Sequence, residues 1–149
     1  MWPEASRQAG RIEGMPAPMV GPRAPVSASQ APVVLVAEDT PDLQDLLMEV
    51  LISEGYSVIA AVDGVETLEA LRHHRVDVLV LDLMMPRLTG WDVLRRLPEV
   101  ASAPPRVIVM SAAHDLRGVQ HDALVEATVR KPFDLEHLLT LVSKAAQRW

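Results

Sequence analysis

Val78-Leu79-Val80-Leu81-Asp82 decides the fold: four apolar residues, two of them β-branched, closed by an acid with no polar alternation before it. A sheet with one wet face alternates apolar and polar positions. A run that is apolar throughout suits a strand buried on both faces, in a parallel sheet covered by helices. Two runs of the same kind flank it, Val33-Val34-Leu35-Val36 and Val107-Ile108-Val109-Met110. A weaker run from Tyr56 to Val62 and a poor one at Thr128-Val129-Arg130 read as edge or near-edge strands.

Helical patterns fill the gaps between these runs. Thr40 and Pro41 form a cap and a first-turn proline. Leu43, Leu46, Leu47, Val50 and Leu51 then repeat at helical spacing, and Gly55 closes the helix. Asp63 and Glu66 have capping-box spacing ahead of Leu68 and Leu71. Asp134 caps a face of Leu135, Leu138, Leu139 and Val142, and less sharp helices are readable near 89–98 and 115–125. Five strand–helix units with right-handed crossovers predict a three-layer α/β sandwich with helices on both faces. For a doubly wound sheet of five strands the expected order is 2-1-3-4-5, and ligands bind beyond the strand ends where strands 1 and 3 part.

The chain has 149 residues, of which 1–32 contain 18 Pro, Ala, Gly and Ser and no periodic apolar pattern. Residues 1–31 are expected to be a disordered tail and 32–149 a single domain. Lys plus Arg number 14 against 20 acids, and from Pro32 on 11 against 18, so a nucleic-acid-binding role is disfavoured. The absence of Cys excludes a disulfide scaffold, thiolate zinc and cysteine catalysis. No apolar run approaches the roughly 18 residues of a membrane span, and the start Met1-Trp2-Pro3-Glu4 lacks a secretory layout. A cytoplasmic protein without membrane contact is expected.

Four strands deliver a polar or charged residue to one edge: Glu38-Asp39, Asp82, Ser111, and Lys131-Pro132. The topology brings Glu38, Asp39 and Asp82 to the switch point. Carboxylates about 4 Å apart repel by roughly 4 kcal/mol per pair at an effective dielectric near 20, so either one is protonated or a cation is bound. Oxygen ligands without Cys or nearby His favour Mg²⁺ over zinc. Taken singly, Asp39 reads as a helix-start residue and Asp82 as a strand end; their convergence is what points to a site. Lys131 is informative because the chain uses Arg twelve times and Lys twice. A compact ammonium reaches a phosphoryl oxygen as a point charge. Ser111 can donate to an anion or cap the next helix, and Pro132 invites a tight turn, with a cis bond among the options.

Val36-Ala37-Glu38-Asp39, Asp82 with Met85-Pro86 and Gly90, Met110-Ser111-Ala112 and Lys131-Pro132-Phe133 follow in order across residues 32–149. On them the chain resembles receiver domains of bacterial two-component response regulators, of the single-domain type. The resemblance implies a flavodoxin-like (βα)5 fold, with Asp82 as phospho-acceptor from a sensor kinase phosphohistidine or acetyl phosphate. It implies Mg²⁺ held by Glu38, Asp39, Asp82 and the backbone carbonyl of Met84, with Ser111 and Lys131 on the phosphoryl oxygens. The implied partners are a sensor histidine kinase or a histidine phosphotransfer protein, and a downstream protein target. No direct nucleic acid is implied, and the protein would be a monomer or a phosphorylation-dependent dimer. Such a protein catalyses its own phosphorylation and dephosphorylation without being a turnover enzyme.

Thr128 departs from the pattern, standing at a switch position where the family commonly has an aromatic. The segment from Ser111 to Lys131 is short, so the fourth helix is expected to be abbreviated. Met84 and Ala113 occupy positions that tune dephosphorylation in the family. Thr128 also supports an alternative, a receiver-like interaction module that never accepts phosphate. A Mg²⁺-dependent phosphatase is disfavoured because Glu38 and Asp39 are adjacent rather than in an Asp-x-Asp pattern. The five histidines show no metal-site spacing, with His73 and His74 at a solvated helix end and Arg95 and Arg96 on a solvated face.

Overall fold

The computed structural model describes residues 31–112, 117–120 and 122–147. The expectation for the tail falls outside these residues, Ala31 apart, as do Ala113, His114 and His121. Along the chain run β1 (Val33–Ala37), α1 (Pro41–Ser53), β2 (Ser57–Ala61), α2 (Gly64–His73), β3 (Val78–Asp82), α3 (Gly90–Val100), β4 (Arg106–Ser111), α4 (Arg117–Gln120), β5 (Val125–Arg130) and α5 (Leu135–Ala146). The strands form one parallel sheet in the order β2-β1-β3-β4-β5. This is the flavodoxin-like order expected from the sequence.

The uninterrupted apolar runs have a simple cause. Successive side chains of a strand point to opposite faces, and both faces here are covered. Leu35, Leu79, Leu81, Val107 and Val109 pack on one side with Leu68 and Leu71 of α2, and with Val93, Leu94 and Leu97 of α3. Val34, Val36, Val78, Val80, Ile108 and Met110 pack on the other with Leu47 and Leu51 of α1 and with Leu138 and Val142 of α5. Fully burying each such side chain contributes roughly 1.5–3 kcal/mol.

The expected caps are present with differences in detail. Thr40 precedes Pro41 but makes no side-chain cap bond; its backbone N–H instead donates to Glu38 Oε2 at 3.0 Å. Helix α1 ends as Gly55, at φ 98°, and Tyr56 donate their N–H groups to Ile52 and Leu51. Asp63 accepts from the Glu66 N–H at 2.8 Å, while Glu66 accepts from Val62 rather than from Asp63. Asp134 caps α5 through the Glu136 N–H. The Lys131–Pro132 bond is cis.

Two elements differ from the sequence reading. Strand β5 begins at Val125, three residues before the run read at Thr128-Val129-Arg130; Glu126, Thr128 and Arg130 interrupt its apolar pattern, as an edge strand permits. Of the helix expected over 115–125, residues 117–120 are helical and 123–124 are a turn, which agrees with the abbreviation expected from the short Ser111–Lys131 segment; 115, 116 and 121 lie outside the described residues. Asp122 accepts from the Leu124 N–H at 2.8 Å, a local turn that competes with helix continuation. Among the described residues no helix is long and apolar enough to cross a membrane.

Candidate functional site

Each acid of the cluster is set by the strand that carries it. Glu38 follows β1 and is fully buried, its N–H donating to the Ala61 carbonyl of β2 at 3.0 Å. Gln44 of α1 braces this corner, its Nε2 donating to the Glu38 carbonyl at 3.1 Å and to the Ala61 carbonyl at 3.0 Å. Asp39, the next residue, is exposed. Asp82 ends β3 and is 3% exposed. One carboxylate oxygen from each of Glu38, Asp39 and Asp82 lies within 4.8 Å of the others.

Lys131 closes the cluster from the far edge of the sheet. It follows β5, and its N–H donates to the Ser111 carbonyl at 2.9 Å. Its ammonium donates to Glu38 Oε1 at 2.8 Å and to Asp82 Oδ2 at 3.1 Å. The other Asp82 oxygen, Oδ1, accepts the Met84 N–H at 3.0 Å. Burial pushes the Asp82 carboxyl above its ordinary pKa; the Glu38 charge adds to this, and the Met84 N–H and Lys131 pull back incompletely. For Lys131, burial favours the neutral amine, but its bonds and charge contacts with Glu38 and Asp82 outweigh that and hold the pKa above the ordinary lysine value.

Ser111 is fully buried at the end of β4, one residue past the Asp82–Met110 pair. Thr128 is half-buried and set further back, opposite Val109 and two residues before Arg130, which pairs with Ser111. The structure therefore brings Glu38, Asp39, Asp82 and Lys131 together, with the Met84 backbone against Asp82 and Ser111 on the adjoining strand. The Met84 side chain is 61% exposed beside it.

Gly90 holds the loop after Asp82 close. A Cβ there would stand 2.6 Å from the Asp82 carbonyl oxygen and 2.7 Å from Leu83 Cα, so a side chain has no room. The sequence marks Gly90 but carries no sign of the Gln44 brace, which links residues 17 apart, or of the ion pair between Arg87 and Asp63, 24 apart.

The donor set suits a hard divalent cation. It is all oxygen, three carboxylates converge, and Asp39 remains open to solvent, as Mg²⁺ requires when it keeps waters and takes phosphate oxygens. A parallel doubly wound sheet with three acids and a lysine at its switch point defines a class, the flavodoxin-like proteins with an acidic cluster at the strand ends.

Within that class the comparisons are specific. The family model for the response regulator receiver domain matches residues 34–143. The chain belongs to this family, the receivers of two-component phosphorelay signalling. It is 36% identical over 118 residues to response regulator RR06 of Streptococcus pneumoniae, covering 78% of this chain and 54% of that protein. It is 38% identical over 117 residues to response regulator MprA of Mycobacterium leprae, covering 77% and 51%. The chain thus spans about half the length of the curated relatives it matches. Among solved structures, the receiver domain of the Francisella response regulator 1452 aligns with a TM-score of 0.71 at 28% identity, covering 78% of this chain and 98% of that one. TrrA from Thermotoga maritima, solved in complex with Mg²⁺ and BeF, aligns with a TM-score of 0.68 at 27% identity, covering 76% and 98%.

Proposed function

We propose that Asp82 is the phospho-acceptor and that Glu38, Asp39, Asp82 and the Met84 backbone carbonyl hold Mg²⁺ beside it. The observation that carries this reading is the meeting of three carboxylates within 4.8 Å, two of them bridged by Lys131. When bound, the ion supplies positive charge against the phosphoryl oxygens and relieves repulsion among the acids. An Asp82 carboxylate oxygen attacks phosphorus, a P–O bond forms, and the bond to the leaving group breaks. From acetyl phosphate the leaving group is acetate. From a phosphohistidine it is the imidazole nitrogen, which takes a proton.

Lys131, already at hydrogen-bond distance from Asp82, then has a phosphoryl oxygen to pair with instead of Glu38. Ser111 is the second contact, a hydroxyl on the next strand edge, and its shift toward the new anion would bias the loop that follows β4. Thr128 takes the position from which an aromatic commonly reports that shift, so signalling here runs without an aromatic at that site.

The partner that supplies the phosphoryl group is a histidine kinase or a histidine phosphotransfer protein, and the phosphorylated surface acts on a downstream protein. The chain catalyses its own phosphorylation and then its own dephosphorylation, in which water attacks phosphorus and the bond to Asp82 breaks to release inorganic phosphate, and it is not a turnover enzyme. The test is intact-mass measurement after incubation with Mg²⁺ and acetyl phosphate. One added phosphoryl group is expected in the parental chain and none in Asp82→Asn; a label that persists in Asp82→Asn overturns the assignment.

A further inference from the structure

The loop between Asp82 and α3 is tied to the rest of the protein at an unexpected point. Its ends are fixed by the sheet: the Leu83 N–H donates to the Met110 carbonyl at 3.1 Å and the Gly90 N–H to the Leu83 carbonyl at 3.0 Å. Between them Arg87 sits at φ 68°, the left-handed region, and is the one non-glycine residue with positive φ among the described residues. That conformation favours glycine or asparagine, so an arginine gains nothing from its backbone there.

Its side chain accounts for the choice. Arg87 Nε donates to Asp63 Oδ2 at 2.8 Å, although the Arg87 side chain is 57% exposed and that of Asp63 only 10%. Asp63 is also the cap of α2, accepting from Glu66 through its other oxygen. One residue on, Leu88 lies so close to Gly64 that a Cβ on Gly64 would overlap the Leu88 carbonyl oxygen. The loop therefore rests on the start of α2 through an ion pair and a bare glycine. Met84, three residues before Arg87, is the residue whose N–H holds Asp82 Oδ1.

We propose that Arg87 and Asp63 are positioning residues for the site: their ion pair holds the loop after Asp82 against α2 and so fixes where Met84 meets Asp82. This rests on the reading of Asp82 as acceptor. Neither residue touches the reacting atoms. Their effect is on the aim of the carboxylate, and a small misplacement of a nucleophile is costly.

The test uses the full chain and three variants. Asp63→Asn keeps a capping acceptor and removes the charge. Arg87→Gly removes the guanidinium and relieves the left-handed backbone. Arg87→Lys keeps a cation within reach of Asp63. Each is assayed for the initial rate of phosphorylation by acetyl phosphate at saturating Mg²⁺, and for its thermal midpoint. Asp63→Asn and Arg87→Gly should each slow labelling, on the order of fivefold. The double variant should be no slower than the slower single one, because both remove the same contact. Arg87→Lys should recover most of the rate, and Arg87→Gly should lose rate without losing thermal stability. Parental rates in both single variants, or a Lys variant no better than Gly, overturn the positioning role while leaving Asp82 as acceptor. A parental chain that takes no label overturns the reading of Asp82 and the positioning role with it.

Discussion

Replacing Lys131 by Met removes the one cation within hydrogen-bond distance of both buried acids among the described contacts. At an effective dielectric near 20, contacts of 2.8 and 3.1 Å are worth about 6 and about 5 kcal/mol before desolvation. The Glu38–Asp82 repulsion, at up to 4.8 Å, is about 3.5 kcal/mol on the same scale. Taking three charged groups out of water offsets much of the attraction in the parental protein. Removing one partner, however, strands the other two, which costs about 3–5 kcal/mol for a buried pair. The Lys131 side chain is 21% exposed, so water partly relieves the acids, and the lower end, about 3 kcal/mol, is expected. The assay is urea unfolding of both proteins in chelator at neutral pH, repeated with excess Mg²⁺ and at falling pH. Mg²⁺ should restore much of the loss by replacing the missing cation. Acid should also shrink it, because losing Lys131 removes a contact that holds the Asp82 pKa down and so raises that pKa further in the folded protein, and such a group costs stability only as pH rises through its folded pKa. A Lys131→Met protein as stable as the parent in chelator, or a loss indifferent to Mg²⁺ and pH, would refute the reasoning.

Asp82→Asn should raise the stability of the metal-free protein. The folded Asp82 pKa lies above its unfolded value, so its contribution is favourable below the unfolded pKa and is lost as pH rises through the folded one. Unfolding curves across that range should converge in acid and separate toward neutral pH. Asp63 carries the opposite sign. Its bond to Arg87, aided by the Glu66 N–H, depresses its pKa, so its stabilisation is full above the unfolded value and disappears as pH falls through the folded one. Asp63→Asn should therefore be less acid-sensitive than the parent in chemical denaturation below about pH 4. Gly90→Ala should cost about 2 kcal/mol of unfolding free energy, because its Cβ would stand 2.6 Å from a backbone oxygen and 2.7 Å from Leu83 Cα. A midpoint shift within error of the parent would refute that close approach.

The sheet was legible because its three central strands are buried on both faces, and Val34–Val36, Val78–Leu81 and Val107–Met110 are apolar and buried at every position. Strand β5 was only half legible: it lies at an edge, and Glu126 spends its side chain on Arg106, accepting from Nη2 at 2.8 Å. The short segment from Ser111 to Lys131 made an abbreviated α4 legible, but the turn that Asp122 imposes on the backbone at Leu124 was not. The acids and Lys131 were legible as strand-end residues, since parallel topology sends all carboxyl ends to one edge. Gln44 and the Arg87–Asp63 pair were not, because no local pattern specifies a contact between elements 17 or 24 residues apart. Nothing in the sequence singles out Arg87 among the twelve arginines. Only its backbone angle and its reach to Asp63 distinguish it.

The most direct test of the account is a nuclear magnetic resonance titration of the parental protein with Mg²⁺, following the amides of Asp39, Thr40 and Met84. These groups border the three acids, so their signals should move together along a one-site saturation curve, and Asp39→Asn should weaken that binding while leaving the fold intact. Signals that stay fixed as Mg²⁺ is added, or a saturation curve unchanged in Asp39→Asn, would contradict the claim that Glu38, Asp39 and Asp82 form a single cation site.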